Sequence, residues 1–200
     1  MDLESLLFGS TAGQRTSMQT GDILVAEPLM TEVFFKMSAI LVLASDQQKG
    51  TFGLVMNHEL NVSLRDLIPE WANGDRVKLH SGGPVDLERL FMLHTLGDYF
   101  KGSQPIAPGL YIGANIDDVI EYVDAGGPVE GKLRFFLGYS GWDANQLESE
   151  ILRHSWGVGR MKSPADLLEG TGDAYWRRQV EHLGENFRNW LMVPPDIAMN

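Results

Sequence analysis

Cysteine is missing from all 200 residues. Its absence excludes a disulfide framework, a thiolate metal site and a cysteine nucleophile, and points to a reducing compartment. Long apolar runs are missing too: the longest, AILVLA at 39–44, is far short of the ~20 residues a membrane-spanning helix needs, so no membrane partner is expected. Positive charge is scarce. Sixteen Lys and Arg stand against 27 Asp and Glu, and the net charge of −11 repels phosphate backbones unless the cations gather on one face. The one gathering, Arg177, Arg178 and His182 with Arg188 beyond, is interleaved with Asp173, Glu181 and Glu185. It reads as a solvated helix face, and no direct contact with nucleic acid is expected. The opening MDLESLLFGSTAGQRTS carries Asp2 and Glu4 where an export signal carries positive charge, which places the protein in the cytoplasm.

Signatures of metal and nucleotide chemistry are equally scarce. The five histidines, His58, His80, His94, His154 and His182, show no H-x-x-x-H spacing, and neither G-x-x-x-x-G-K-[ST] nor G-x-G-x-x-G occurs. No metal, no cofactor and no assigned catalytic residue follow from the pattern. The pair His80-Ser81 precedes Gly82-Gly83, whose amides suit an oxyanion. Neighbours on a strand point to opposite faces, however, so adjacent Ser and His seldom meet as nucleophile and base.

What is present is a core-forming composition, 44% hydrophobic and 22% charged, in a chain sized for one domain. Residues 1–20 read as an arm, a short helix or frayed, and 21–200 as a single domain. Apolar runs at ILVAEPLM, SAILVLASD, LVM, VKLH, FMLHTL and LYIG predict strands, the second and third as a hairpin. The stretch 102–109 reads as a surface loop. SLRDLI, DDVIEYVDA, SPADLLEG and DAYWRRQVEHLG predict helices, the last with Trp176, Val180 and Leu183 inward. Strands and helices interleave, giving a mixed α/β (α+β-like) domain.

The most informative segment is RFFLGYSGWDANQLESEILRHSW at 134–156. It reads as a strand broken at Gly138 and Gly141, a tight turn, and a helix opened by Asp143 with Gln146. Two readings stand. Either the glycines reverse the chain and Trp142 and Trp156 are buried anchors, or the close backbone and the Gln146–Glu150 face line a site for an anionic or carbonyl ligand.

Taken in order, GDILVAEPLM, GTFGLVMN ending in Asn57, HSGGPV followed by FMLH, and FLGYSGWDANQLESEI with Trp156 resemble the AlgH/YqgE family of bacterial proteins. The resemblance implies one domain with a barrel-like, partly split β-sheet surrounded by helices, and a cytosolic protein whose relatives sometimes carry a transcriptional-regulator label. It supplies no reaction. The shared positions it marks are Asn57, Gly82, Gly83, Pro84, Gly138, Gly141, Trp142, Gln146, Leu147 and Glu150, and all of these except Leu147 are the ligand-binding candidates. Ser140 stands where relatives often carry alanine. The leading expectation is a regulatory module binding an unidentified small molecule or protein. One alternative is a hydrolase-like enzyme using the His80-Ser81-Gly82-Gly83 turn with Glu150; another is a regulator acting directly on DNA.

Overall fold

The computed structural model describes residues 14–193; the first thirteen residues of the expected arm and most of the closing VPPDIAMN lie outside the described residues. One ten-stranded sheet organises the molecule. Its strands are β1 (Asp22–Ala26), β2 (Ala39–Asp46), β3 (Gly50–Val55), β4 (Glu59–Ser63), β5 (Lys78–Ser81), β6 (Val85–His94), β7 (Gln104–Ala107), β8 (Leu110–Ile112), β9 (Leu133–Trp142) and β10 (Trp156–Arg160). The helices are α1 (Leu64–Leu67), α2 (Ile116–Asp124), α3 (Gln146–Leu152), α4 (Pro164–Leu167) and α5 (Gly172–Leu183). The main path runs β10-β1-β2-β3-β9-β6-β8-β7, and β5, which also pairs with β4, joins β9 beside β3. The sheet is therefore a curled half-barrel that splits along β9, as the resemblance implied.

The split has a physical cause. The first half of β9 pairs in parallel with β5, Leu79 to Ser81 opposite Phe135 to Leu137, while its second half pairs antiparallel with β3, Gly53 opposite Ser140. Between them, Gly82 donates to Leu137 O at 2.8 Å and accepts from Val55 N at 2.9 Å, so one residue hands the edge of β9 from one partner to the other. Gly83 packs against the backbone of Tyr139 and Ser140, and Gly138, at φ +69°, against the carbonyl of Gly83. The two glycine segments meet at this fork, and Pro84 leaves it exposed to solvent.

Several expectations change here. The strand expected to break at Gly138 continues through Gly138 and Gly141 to Trp142, because paired neighbours hold glycine in the sheet. The expected strand at FMLHTL begins earlier, at Val85. The expected surface loop 102–109 contains β7, which tolerates Pro105 because it is the terminal strand of the path. Helix α3 opens at Gln146 with Asn145 before it in the left-handed region, and the Gln146 side chain reaches back to accept from Asp143 N at 3.0 Å.

Aromatic anchoring matches the sequence reading. Trp142 and Trp156 are 5% and 1% exposed and share one core cluster with Leu147 and Ile151 of α3. On the other face Trp176 and Val180 of α5 are buried, with Leu183 packed against the same cluster.

Candidate functional site

A cleft of about 640 Å³ opens where the β2–β3 hairpin meets the end of β9 and the start of β6. Its position follows from local chemistry. Asp46 closes the hairpin by accepting from the backbone N–H groups of Gln48 and Lys49 at 2.8 and 2.9 Å, and these bonds hold its carboxyl below the usual range. Register then places Phe52 opposite Gly141, with Tyr139 two residues back on the same face of β9. Gly141 has no side chain to fill that space, and a Cβ there would sit 3.2 Å from the Tyr139 ring. The floor of the cleft is consequently aromatic: Phe52 and Tyr139 lie 4.9 Å apart between ring centroids, and Phe91 adjoins both at 5.6 and 6.2 Å.

β6 supplies the charge. Val85 pairs with Tyr139 and Leu90 with Leu137, so four residues of β6, Asp86 to Arg89, span the single Gly138 of β9. The surplus bulges outward, with Asp86 at φ +50°. The bulge lays the Arg89 guanidinium over the Phe91 ring, 5.1 Å from its centroid. Lys49 stands on the hairpin side, and Asp46 and Asp143 complete the rim. A smaller adjoining pocket of about 160 Å³ shares the hairpin wall and is closed by Thr16, Ser17 and Met18.

The ligand-binding candidates fall into four places. Gly141 and Trp142 line the cleft. Gly82, Gly83, Pro84 and Gly138 belong to the fork, where an added Cβ would lie 2.3 Å from Gly138 O at Gly82 and 2.5 Å from Gly83 O at Gly138. Asn57 is buried and fully used: its Oδ1 accepts from Ala39 N at 2.9 Å, and its Nδ2 donates to Met37 O and Gly172 O at 2.8 and 3.1 Å. It staples the start of α5 to the sheet. Gln146 and Glu150 form a clamp with the tryptophans. Both indole N–H groups, of Trp142 and Trp156, donate to Glu150 Oε2 at 2.8 Å, and Gln146 Nε2 donates to Oε1 at 2.9 Å. Ser140 spends its hydroxyl on Gly82 O at 3.1 Å.

The hydrolase arrangement is not assembled. Glu150 is held in its clamp, and no side chain among the described residues, Ser81 included, hydrogen-bonds the ring of the buried His80, so Ser81 and His80 make no nucleophile–base pair. Burial, followed by the charge of Arg134, pushes the His80 pKa down to about 3, against a weaker opposing pull from the Lys78 and Phe135 carbonyls. Arg134 itself is 4% exposed and donates to the carbonyls of Met56, Leu168 and Gly170. Below the ordinary histidine value of about 6.5 the unfolded chain takes up a proton at position 80 that the native state refuses. Stability therefore falls on acidification, by up to about 1.4 kcal/mol per pH unit for this residue, between about 6.5 and 3. His58 and His94, both lowered by burial, add to the same slope. Urea unfolding between pH 7 and 4.5 is expected to show that His80→Phe removes about one proton's worth of the dependence; an unchanged slope would contradict the assignment.

The cations of α5 and the turn after it are committed within the protein. Arg177 pairs with Asp173 at 3.0 Å, Arg178 with Asp166 at 3.2 Å and Arg188 with Glu185 at 3.0 Å. Among the described residues no group of three or more His, Cys, Asp or Glu is placed to hold a metal ion, and no helix is long and apolar enough to cross a membrane.

Sequence reasoning missed Phe52, Arg89 and Tyr139. The only signal for Arg89 and Tyr139 was the alternation in VDLERL and in GYSGW, which does not reveal that a hairpin from elsewhere packs alongside and brings Phe52 with it.

Comparison with known proteins gives a family match over most of the chain. The AlgH-like family, DUF179, matches residues 23–188. UPF0301 proteins from Parabacteroides distasonis and Bacteroides fragilis are 34% and 35% identical over 181 and 180 residues, covering 90% of this chain and 90% of each relative. The solution structure of the AlgH protein from Pseudomonas aeruginosa, a UPF0301 protein, is 26% identical with a TM-score of 0.65, over 90% of this chain and 98% of that one. A crystal structure of a Corynebacterium diphtheriae protein, 23% identical with a TM-score of 0.74 over 95% of this chain and 98% of that one, shares the fold. None of these names states a reaction or a ligand.

Proposed function

The chain belongs to the AlgH-like family, and on that premise we propose that it is a cytoplasmic binding module without catalysis of its own, whose ligand occupies the cleft between the β2–β3 hairpin and the β6–β9 edge. The observation that carries this reading is the aromatic floor left open at Gly141: Phe52 and Tyr139 present ring surface to solvent where a side chain on β9 would have covered it. Recessed ring surface with a few polar groups around it is the usual character of a ligand pocket. The rim holds no histidine, and the His80-Ser81 turn and Glu150 are occupied in holding the fold. Any regulatory effect then passes through a bound small molecule or protein, since the arginines a duplex would need are paired to acids.

A mixed set of aromatic fragments titrated into ¹⁵N-labelled protein tests the reading. Shifted amides are expected to cluster at Thr51 to Gly53 and Tyr139 to Asp143. Gly141→Leu, which fills the cleft while leaving the backbone conformation ordinary, is expected to abolish those shifts with the rest of the spectrum preserved. Shifts that cluster elsewhere, or that survive Gly141→Leu, would overturn it.

A further inference from the structure

Resting on the cleft as the ligand site, we infer that its ligand is a small aromatic ring carrying one anionic group, a carboxylate or a phosphoryl group, with the ring against Tyr139 and Phe52 and the anion on Arg89. Ten arginines occur in the sequence. Nine of their guanidinium groups donate hydrogen bonds within the protein, to acids or to carbonyls. Arg89 is the exception. Among the described residues its guanidinium has neither a hydrogen bond nor an ion pair, only the face of Phe91 beneath it.

That arrangement has a directional consequence. Stacking on Phe91 orients the planar fork and limits the rotamers it would otherwise lose on binding, while all five N–H donors stay unspent. A flat, five-donor cation matches the two oxygens of a carboxylate or phosphoryl group bidentately. The ring that Arg89 rests on is in turn edge-on to Tyr139, 6.2 Å away at 79°, so the anion site and the aromatic floor are contiguous. Lys49, whose charge also acts on Asp46 of the same hairpin but which forms no ion pair among the described residues, adds a second positive charge across the cleft.

The acidic rim does not cancel this. Asp46 accepts two backbone N–H groups of its own hairpin, which leaves Asp143 as the rim carboxylate without a comparable duty. In a chain of net charge −11 an anion gains nothing from the long-range field, so recognition depends on this local pair of cations. A neutral ring gains only the floor; a bare anion gains only Arg89 and Lys49.

The test is a set of titrations followed by ¹⁵N–¹H correlation spectra, with phenyl phosphate, benzoate, benzamide and inorganic phosphate as the probes. Phenyl phosphate or benzoate is expected to bind at the cleft about tenfold or more tightly than benzamide, the difference between those two anions identifying the preferred acid. Arg89→Gln is expected to remove that advantage while leaving benzamide binding and the remaining spectrum unchanged. Benzamide binding as tightly as the anions, or anion binding indifferent to Arg89→Gln, would overturn the inference and leave the cleft as a ligand site. Inorganic phosphate binding as tightly as phenyl phosphate would overturn it by showing that the ring is not recognised. Failure of all four probes at the cleft would overturn it together with the binding-module reading.

Discussion

Gly83→Ala is expected to cost about 3 kcal/mol or more of folding stability, because the added methyl has nowhere to go. Its Cβ would lie 2.0 Å from Tyr139 C, 2.1 Å from Tyr139 O and 2.2 Å from Ser140 N. Overpacking of a core by one or two methylenes costs about 1–3 kcal/mol when side chains can shift. These neighbours are backbone atoms of the strand that carries the fork, and moving them breaks the pairing of β9 with β3 or with β6. Gly126 supplies the control: at φ +87° it also lies in the left-handed region, but nothing lies within 4 Å of its Cβ position. Gly126→Ala should therefore cost only the backbone term of about 1–2 kcal/mol. Urea midpoints at constant m-value measure both. Equal losses for the two variants would mean that the fork tolerates displacement and that close packing at Gly83 is not what splits the sheet.

The fork shows why the sequence was informative about some elements and silent about others. A run such as AILVLASD is legible because β2 is buried on both faces along 39–43, so its residues are apolar without interruption. The helix DAYWRRQVEHL is legible because one stripe faces the core. Gly138 and Gly141 misled because glycine advertises conformational freedom, whereas neighbours on both sides of β9 decide what that freedom is used for. At Gly138 it is a left-handed turn of backbone inside a strand; at Gly141 it is a vacancy beside Tyr139. The candidate site is harder still. Its cation depends on β6 carrying four residues where β9 carries one, a mismatch between two segments about fifty positions apart. Phe52 reaches it from a third segment. No local pattern records such a meeting, and Asn57, conspicuous in the sequence, proves to be a staple whose polar atoms are all used.

Trp156→Ala carries the other large expected effect, about 3–5 kcal/mol, the usual range for truncating a buried large aromatic. Three losses coincide there. The indole is 1% exposed, so its removal opens a cavity within the cluster that includes Leu24, Ile40 and Ile151. Phe35, edge-on at 5.6 Å, and Trp142, edge-on at 6.0 Å, lose a ring neighbour. Glu150 Oε2 loses one of its two indole donors, each at 2.8 Å, and the clamp that fixes α3 against the sheet is halved. Trp156→Phe separates these contributions, since it keeps most of the ring packing and deletes the N–H; it should retain more than half of the lost stability. Because Trp142 shares the clamp and also walls the cleft, weakening at Trp156 is expected to broaden the amide signals of Gly141 to Asp143 before the protein unfolds. Denaturation of the two variants, read beside those signals, decides the matter: a loss under about 1 kcal/mol for Trp156→Ala would place the anchor of α3 elsewhere.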